Sequence, residues 1–288
     1  MSVTAPAGFR AAGVRAGLKA SGRPDLALVV NDGPLDVAAG VFTANRVVAA
    51  PVVWSRAAVA DGRARVVILN SGSANACTGA RGADDAAATA GRVAELLTAA
   101  DPQRPVRPDD VLVCSTGVIG EPLDMPALLA GAGQAAGALA PTPGAGRDAA
   151  LAIMTTDTVP KEDAVSRTSA GAAWTVGGMI KGVGMLAPGL ATMLCVITTD
   201  AVVDAAAAQA ALGGAVARTV NRINSDGCMS TNDTVLLLAS GASGARPSPA
   251  ELGGALTETL SRLGRRLVAD AEGATHDIAI TVSGAVSE

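Results

Sequence analysis

The chain has no tyrosine, two phenylalanines and two tryptophans in 288 residues. Proteins that grip single-stranded nucleic acid stack bases on aromatic rings, and that platform is missing. No basic block compensates. The net charge is −4, so no nucleic-acid partner is expected. Only one histidine is present, His276, in the polar turn EGATHD. Any Ser–His or Cys–His pair would have to use it, and no nucleophile-elbow motif accompanies it. The four cysteines, Cys77, Cys114, Cys195 and Cys228, are widely spaced with no CxxC pair. That spacing gives neither a zinc signature nor a disulfide framework. They read as small buried hydrophobes in a reducing compartment, and no metal is implied. No run of about 18 apolar residues is available to span a membrane. Residues 1–9 lack the basic and apolar regions of a signal peptide. A cytoplasmic location with no membrane partner is expected.

What the chain does have is 49% hydrophobic residues and 34 glycines, enough for a sizeable core of small side chains. Strand and helix patterns alternate. Strands are expected at residues 26–30, 65–70, 111–115, 172–180, 192–199 and 234–239. Residues 37–43 and 47–54 read as a strand pair, 151–155 as the start of a strand and 277–283 as the last strand. Helices are expected at 83–100, 122–139, 204–220 and 249–270. The alternation predicts a layered α/β or α+β sandwich of sheets and helices.

Residues 177–201, GGMIKGVGMLAPGLATMLCVITTDA, hold the most distinctive pattern. A small apolar run ends on Lys181, a Gly/Pro-punctuated loop follows, and then comes a β-branched strand. Ala191 and Thr192 stand at the strand entrance. A threonine there is placed to attack its own preceding carbonyl, and cleavage would free an α-amine to serve as its base. That chemistry needs no histidine. On the residues alone it stays open against an ordinary loop before a strand. Other segments are similarly open. STGVIG (115–120) presents a hydroxyl and glycine-opened backbone at a strand end, as an oxyanion site or a plain turn. Thr155, Thr156 and Thr158 around Asp157, in TTDTVPKEDAVS, bind a polar substrate or cap a strand. Asp226 and Asp233 suggest a cation site by spacing, without calcium-loop periodicity.

The wording KGVGMLAPGLATML resembles the self-cleavage motif of the glutamate N-acetyltransferase/ornithine acetyltransferase family of arginine biosynthesis. GFRAAGVRAGLK, AAGVFTANRV, SGSANACTG, STGVIGEPLDM and EGAT resemble the same family, so the likeness runs along essentially the whole chain. Three departures stand out. Ser73 replaces a usual asparagine, Cys228 stands where an aspartate is usual, and His276 stands where a basic residue is usual. The resemblance implies an N-terminal-nucleophile-like fold. It implies cleavage between Ala191 and Thr192 into an α chain (1–191) and a β chain (192–288), packed as a heterotetramer of two α and two β chains. It assigns Thr192 as the acetyl-carrying nucleophile. Thr116 and Gly117 match the oxyanion segment, and Thr158, Lys181, Thr192 and Glu272 the substrate contacts. N2-acetyl-L-ornithine would donate the acetyl group and L-glutamate accept it, with acetyl-CoA a further donor in some relatives and no cofactor. Relatives continue past the last strand with a segment that adds substrate contacts. Two other readings are a self-activating amidase or aminopeptidase, with water as acceptor, and a family member inactive without that segment.

Overall fold

Strands such as LALVVN and LLLA are apolar on both faces, and a sheet built from them needs cover on both sides. The computed structural model describes residues 2–187 and 193–286 and shows how that cover is supplied. In order the chain forms β1 (Phe9–Val14), β2 (Leu26–Asn31), β3 (Val37–Phe42), α1 (Ala50–Ala58), β4 (Val66–Ser73) and α2 (Gly79–Ala100). Then come β5 (Val111–Val118), α3 (Met125–Gly137), α4 (Pro143–Ala152), β6 (Lys161–Ser169) and β7 (Ala172–Lys181). After the undescribed residues 188–192 follow β8 (Leu194–Thr199), α5 (Ala205–Arg218), β9 (Thr234–Ala239) and α6 (Pro249–Ala269).

The strands make two sheets, ordered β1-β2-β4-β5 and β3-β9-β8-β7-β6. The pairs β4–β5 and β8–β9 are parallel and the rest antiparallel. Alternation within each strand divides its side chains between two cores. Val67, Leu69, Leu194, Val196, Leu236 and Leu238 meet between the sheets. Val66 and Ile68 face Val93, Leu97 and Leu128 of α2 and α3. Cys195 and Ile197 face Leu212 of α5 and Leu256, Leu260 and Leu263 of α6. The result is the expected layered sandwich, with four layers: helices, sheet, sheet, helices. Helix α6 starts on a capping box, Ser248 with Glu251, which ties down its first N–H groups.

Several expectations need correction. Residues 47–54 are not a strand, because α1 begins there, with Pro51 in its first turn, where a missing N–H costs nothing. Residues 151–155 are not a strand start: Leu151 and Ala152 are the last residues of α4, and a turn follows. Ala149, Ala150 and Ala152 are buried there, and a short apolar run does not distinguish helix from strand. Residues 277–283 form no strand. Ile278, Ile280 and Val282 are 79–86% exposed, and the period-two pattern finds no ladder partner among the described residues. Strands β1 and β6 carried no clear signal. Cys114 and Cys195 are buried as expected, but Cys77 and Cys228 are exposed.

Candidate active site

The two sheets present the ends of β5 and β7 to one cavity of about 700 Å³. Its wall includes Lys19, Thr116, Gly117, Thr155, Thr156, Lys181 and Glu272. Four residues expected from sequence, Thr116, Gly117, Lys181 and Glu272, therefore share one space. Ala191 and Thr192 lie outside the described residues.

Thr116 and Gly117 stand just before the end of strand β5, in register with Ser71 and Gly72 of β4. Gly117 has φ of +134°, a left-handed conformation that suits glycine. A Cβ there would come within 2.3 Å of the Gly72 carbonyl carbon. The strand end is pinned by a polar network. Ser115 Oγ donates to Asn70 Oδ1 at 2.5 Å, and Asn232 Nδ2 donates to the carbonyls of Ala74 (2.6 Å) and Ser115 (2.9 Å). The Asn232 amide thus ties the segment leading into β9 of the second sheet to the first sheet beside the cavity.

Lys181 ends β7 and is 2% exposed. Its Nζ donates to Thr116 Oγ1 at 3.3 Å. An ammonium only donates, so Thr116 accepts here and its own hydroxyl proton is left for another acceptor. Burial pushes the Lys181 pKa down and Lys161 adds to this, while Asp157 and Asp233 oppose it. Lys181 also pairs in register with Leu194, the first residue of β8. Met193, the first described residue after the junction, donates its N–H to Asp233 Oδ1 at 3.1 Å. Asp233 is fully buried, its Oδ2 makes no hydrogen bond among the described residues, and burial pushes it up to about 8.

Glu272 follows α6 and is held by its own N–H, which donates to the Val183 carbonyl at 2.7 Å. Thr158 is not on the cavity wall. Its hydroxyl and its N–H (3.0 Å) both donate to Asp270, while its neighbours Thr155 and Thr156 face the cavity. Beneath them lies a triad with no counterpart in the sequence reading. Lys161 is 1% exposed, and its Nζ donates to Asp157 Oδ1 at 2.7 Å and Asp270 Oδ2 at 2.5 Å. Asp157 also accepts the N–H of Gly182 at 2.8 Å and of Thr155 at 3.0 Å. Burial raises both carboxyls, but Lys181 and Lys161 around Asp157, and Lys161 and Thr158 around Asp270, outweigh it and leave both below the ordinary range. One buried ammonium thus ties the Thr155–Thr158 turn, the Lys181–Gly182 end of β7 and the segment leading to Glu272.

A sequence signal for these cations existed. The chain has three lysines, Lys19, Lys161 and Lys181, against nineteen arginines. All three sit in or beneath this cavity. The suggested Asp226–Asp233 cation site does not form. Asp226 accepts the Met185 N–H at 2.6 Å on the surface, whereas Asp233 is buried beneath Met193. Among the described residues no group of three His, Cys, Asp or Glu side chains is placed to hold a metal ion. No helix among them is long and apolar enough to cross a membrane.

The model of the ArgJ family matches residues 10–288. The chain belongs to the ArgJ family. The arginine biosynthesis bifunctional protein ArgJ of Bifidobacterium longum is 59% identical over all of this chain and 71% of its own length. The crystal structure of an ornithine acetyltransferase of Mycobacterium tuberculosis, in complex with ornithine, is 53% identical, with a TM-score of 0.62. It covers 67% of this chain, and the match takes in 96% of that solved chain. An L-aminopeptidase/D-Ala-esterase/amidase of Ochrobactrum anthropi, described as a variant of the Ntn-hydrolase fold, matches 94% of this chain at 12% identity and a TM-score of 0.59. That likeness concerns the fold, and the four-layer sandwich is of the N-terminal-nucleophile kind.

Proposed function

We propose that this chain is a glutamate N-acetyltransferase, moving the acetyl group of N2-acetyl-L-ornithine to L-glutamate through an ester on Thr192. The observation that carries the reading is the cavity in which Lys181 engages the Thr116 hydroxyl beside Gly117, with β8, the strand that follows Thr192, paired to Lys181. Cleavage begins when the Thr192 hydroxyl attacks the Ala191 carbonyl. The peptide C–N bond breaks, water hydrolyses the ester, and an α chain of 191 and a β chain of 97 residues result. The size of the solved ornithine acetyltransferase chain supports this. It matches 67% of the present chain, and 191 of 288 residues is about 66%. The cut chains stay together because β7 and β8 share a ladder and a core. They assemble as two α and two β chains.

In transfer, the Thr192 α-amine takes the hydroxyl proton as the oxygen attacks the acetyl carbonyl. The Thr116 hydroxyl and the Gly117 N–H donate to the oxyanion, and Lys181 as a donor turns the Thr116 proton outward. The acetyl C–N bond breaks, the α-nitrogen of ornithine takes the proton back, and ornithine leaves. The neutral amine of glutamate attacks the ester in the reverse sequence. Glu272 meets the ornithine side-chain ammonium and Thr158 positions the Thr155–Thr156 wall. Acetyl-CoA is a candidate second donor. The test is incubation with acetyl-labelled N2-acetylornithine, with and without glutamate. Label in acetylglutamate, absent with Thr192→Ala, supports the reading. Label released as free acetate regardless of glutamate would make the chain a hydrolase.

A further inference from the structure

The cavity holds a second cation to which neither the sequence reading nor the proposed mechanism gives a role. Lys19 lies in the loop after β1, on the cavity wall. That loop is fixed by one buried carboxylate. Asp25, 0% exposed, accepts the N–H groups of Ala16 (2.6 Å), Gly17 (3.1 Å), Leu18 (2.6 Å) and Lys19 (3.0 Å). The side chain is fixed as well. Its Nζ donates to the carbonyls of Pro24 at 2.8 Å and Met154 at 2.5 Å. An ammonium has three donors, so one N–H is uncommitted among the described residues. No carboxylate lies within ion-pair distance of Nζ among the described residues, unlike Lys161. A solvated surface lysine would have neither two backbone anchors nor a half-buried amine. The chain's other surface cations are arginines.

We propose that Lys19 is a substrate-binding residue, holding a carboxylate of the amino-acid substrate with its remaining N–H. This rests on the acetyltransferase reading for the identity of the substrate, but the carboxylate site stands on the loop geometry. Burial pushes the Lys19 ammonium down to about 8. Asp25 and Asp157 oppose this, and Lys181 and Arg23 add to it, while Glu272 faces the same space. A bound carboxylate favours the charged form, so the pKa of Lys19 rises on binding. Affinity is then full below about pH 8 and falls as pH climbs from there to the bound-state value. An amine so poised suits a pocket that must accept an ornithine and a glutamate side chain in turn, since these carry opposite charges.

The experiment uses the whole protein labelled with [13Cε,15Nζ]-lysine, whose three lysines give three resolvable signals, Lys19 being assigned by its loss in Lys19→Met. L-glutamate and L-ornithine are titrated into wild type, Lys19→Met and Lys19→Arg. The proposal expects saturating glutamate to raise the Lys19 titration midpoint. It also expects Lys19→Met to weaken glutamate binding at pH 7 by about tenfold or more, as one charge-assisted hydrogen bond implies, and Lys19→Arg to restore part of it. Weakening of both ligands places the α-carboxylate at Lys19, and weakening of glutamate alone places the side-chain carboxylate there. Wild type binding glutamate with an unmoved Lys19 signal, and Lys19→Met binding within twofold, overturns the proposal. Glutamate bound through Lys19 without any acetyl transfer sinks the acetyltransferase reading and leaves the carboxylate site standing. Failure of wild type to bind either amino acid overturns both.

Discussion

Replacing Lys161 by methionine removes the one cation between Asp157 and Asp270. The triad is among the most deeply buried charged groups of the described residues, with side-chain exposures of 0% for Lys161, 1% for Asp157 and 7% for Asp270. Methionine fills the volume but leaves two carboxylates without their shared partner. Breaking a buried ion pair from one side costs about 3–5 kcal/mol, most of it the desolvation of the charge left behind. For a domain of this size each kcal/mol moves Tm by about 2–4 °C, so a fall of roughly 6–20 °C is expected. Lys181 still faces Asp157, which places the loss toward the lower end. The damage also has an address. Asp270 holds both the N–H and the hydroxyl of Thr158, and Asp157 holds Gly182. Glutamate binding should therefore weaken beyond the loss of stability. Thermal and urea unfolding of Lys161→Met and of Lys161→Met/Asp270→Asn form the assay. The double variant should recover part of the loss, because the second change removes the orphaned charge. A single variant within about 1 kcal/mol of wild type, or a double variant that is simply additive, would refute the reasoning.

Gly117→Ala should destabilise β5 and abolish transfer, since φ of +134° and a 2.3 Å approach to the Gly72 backbone leave no room for a methyl group. Gly91→Ala, mid-α2 with open space around it, should instead stabilise by about 0.5–1 kcal/mol, as denaturation would show. Thr116→Val keeps the shape and removes the donor, so kcat should fall by about 10²–10³ with stability retained; an unchanged kcat would remove Thr116 from the oxyanion site. Asp233 is raised from 3.8 to about 8 by burial. Its stabilising contribution is full below pH 3.8 and lost as pH rises through about 8, because the folded state keeps a proton the unfolded chain has released. Asp233→Asn mimics the protonated form, so its Tm relative to wild type should climb between pH 5 and 8, and a flat difference would show that Asp233 is not protonated in the fold.

The layers were legible in the sequence because strands such as RVVILN and TMLCVITT need cover on both faces, and the long amphipathic stripes of α2 and α6 supply it. Residues 47–54 misled because Val47, Val48, Val52 and Val53 favour strand locally, whereas the burial of Pro51, Val52 and Ser55 on one face of a helix starting at Ala50 prevails. Residues 277–283 misled because alternation declares a strand but not its partner. In the site, motif wording located Thr116, Gly117, Lys181 and Glu272, which the fold brings to one cavity. It gave no hint of Lys161 or Asp270, whose pairing joins residues 109 apart along the chain and is set by how α6 lies on β6. Nor did it show that Thr158 is turned to Asp270, or that Lys19 is anchored on Met154. The scarcity of lysine was a local signal for all three cations, and it becomes meaningful once arginine is seen to carry the rest of the positive charge.

The central claim is that Thr192 becomes a free N-terminus. It is tested most directly by the intact mass of the purified protein under denaturing conditions. Two species that divide the chain between Ala191 and Thr192, with the smaller gaining the mass of one acetyl group on exposure to N2-acetylornithine, are the predicted result. A single uncut species, indistinguishable from Thr192→Ala in the same experiment, would contradict it.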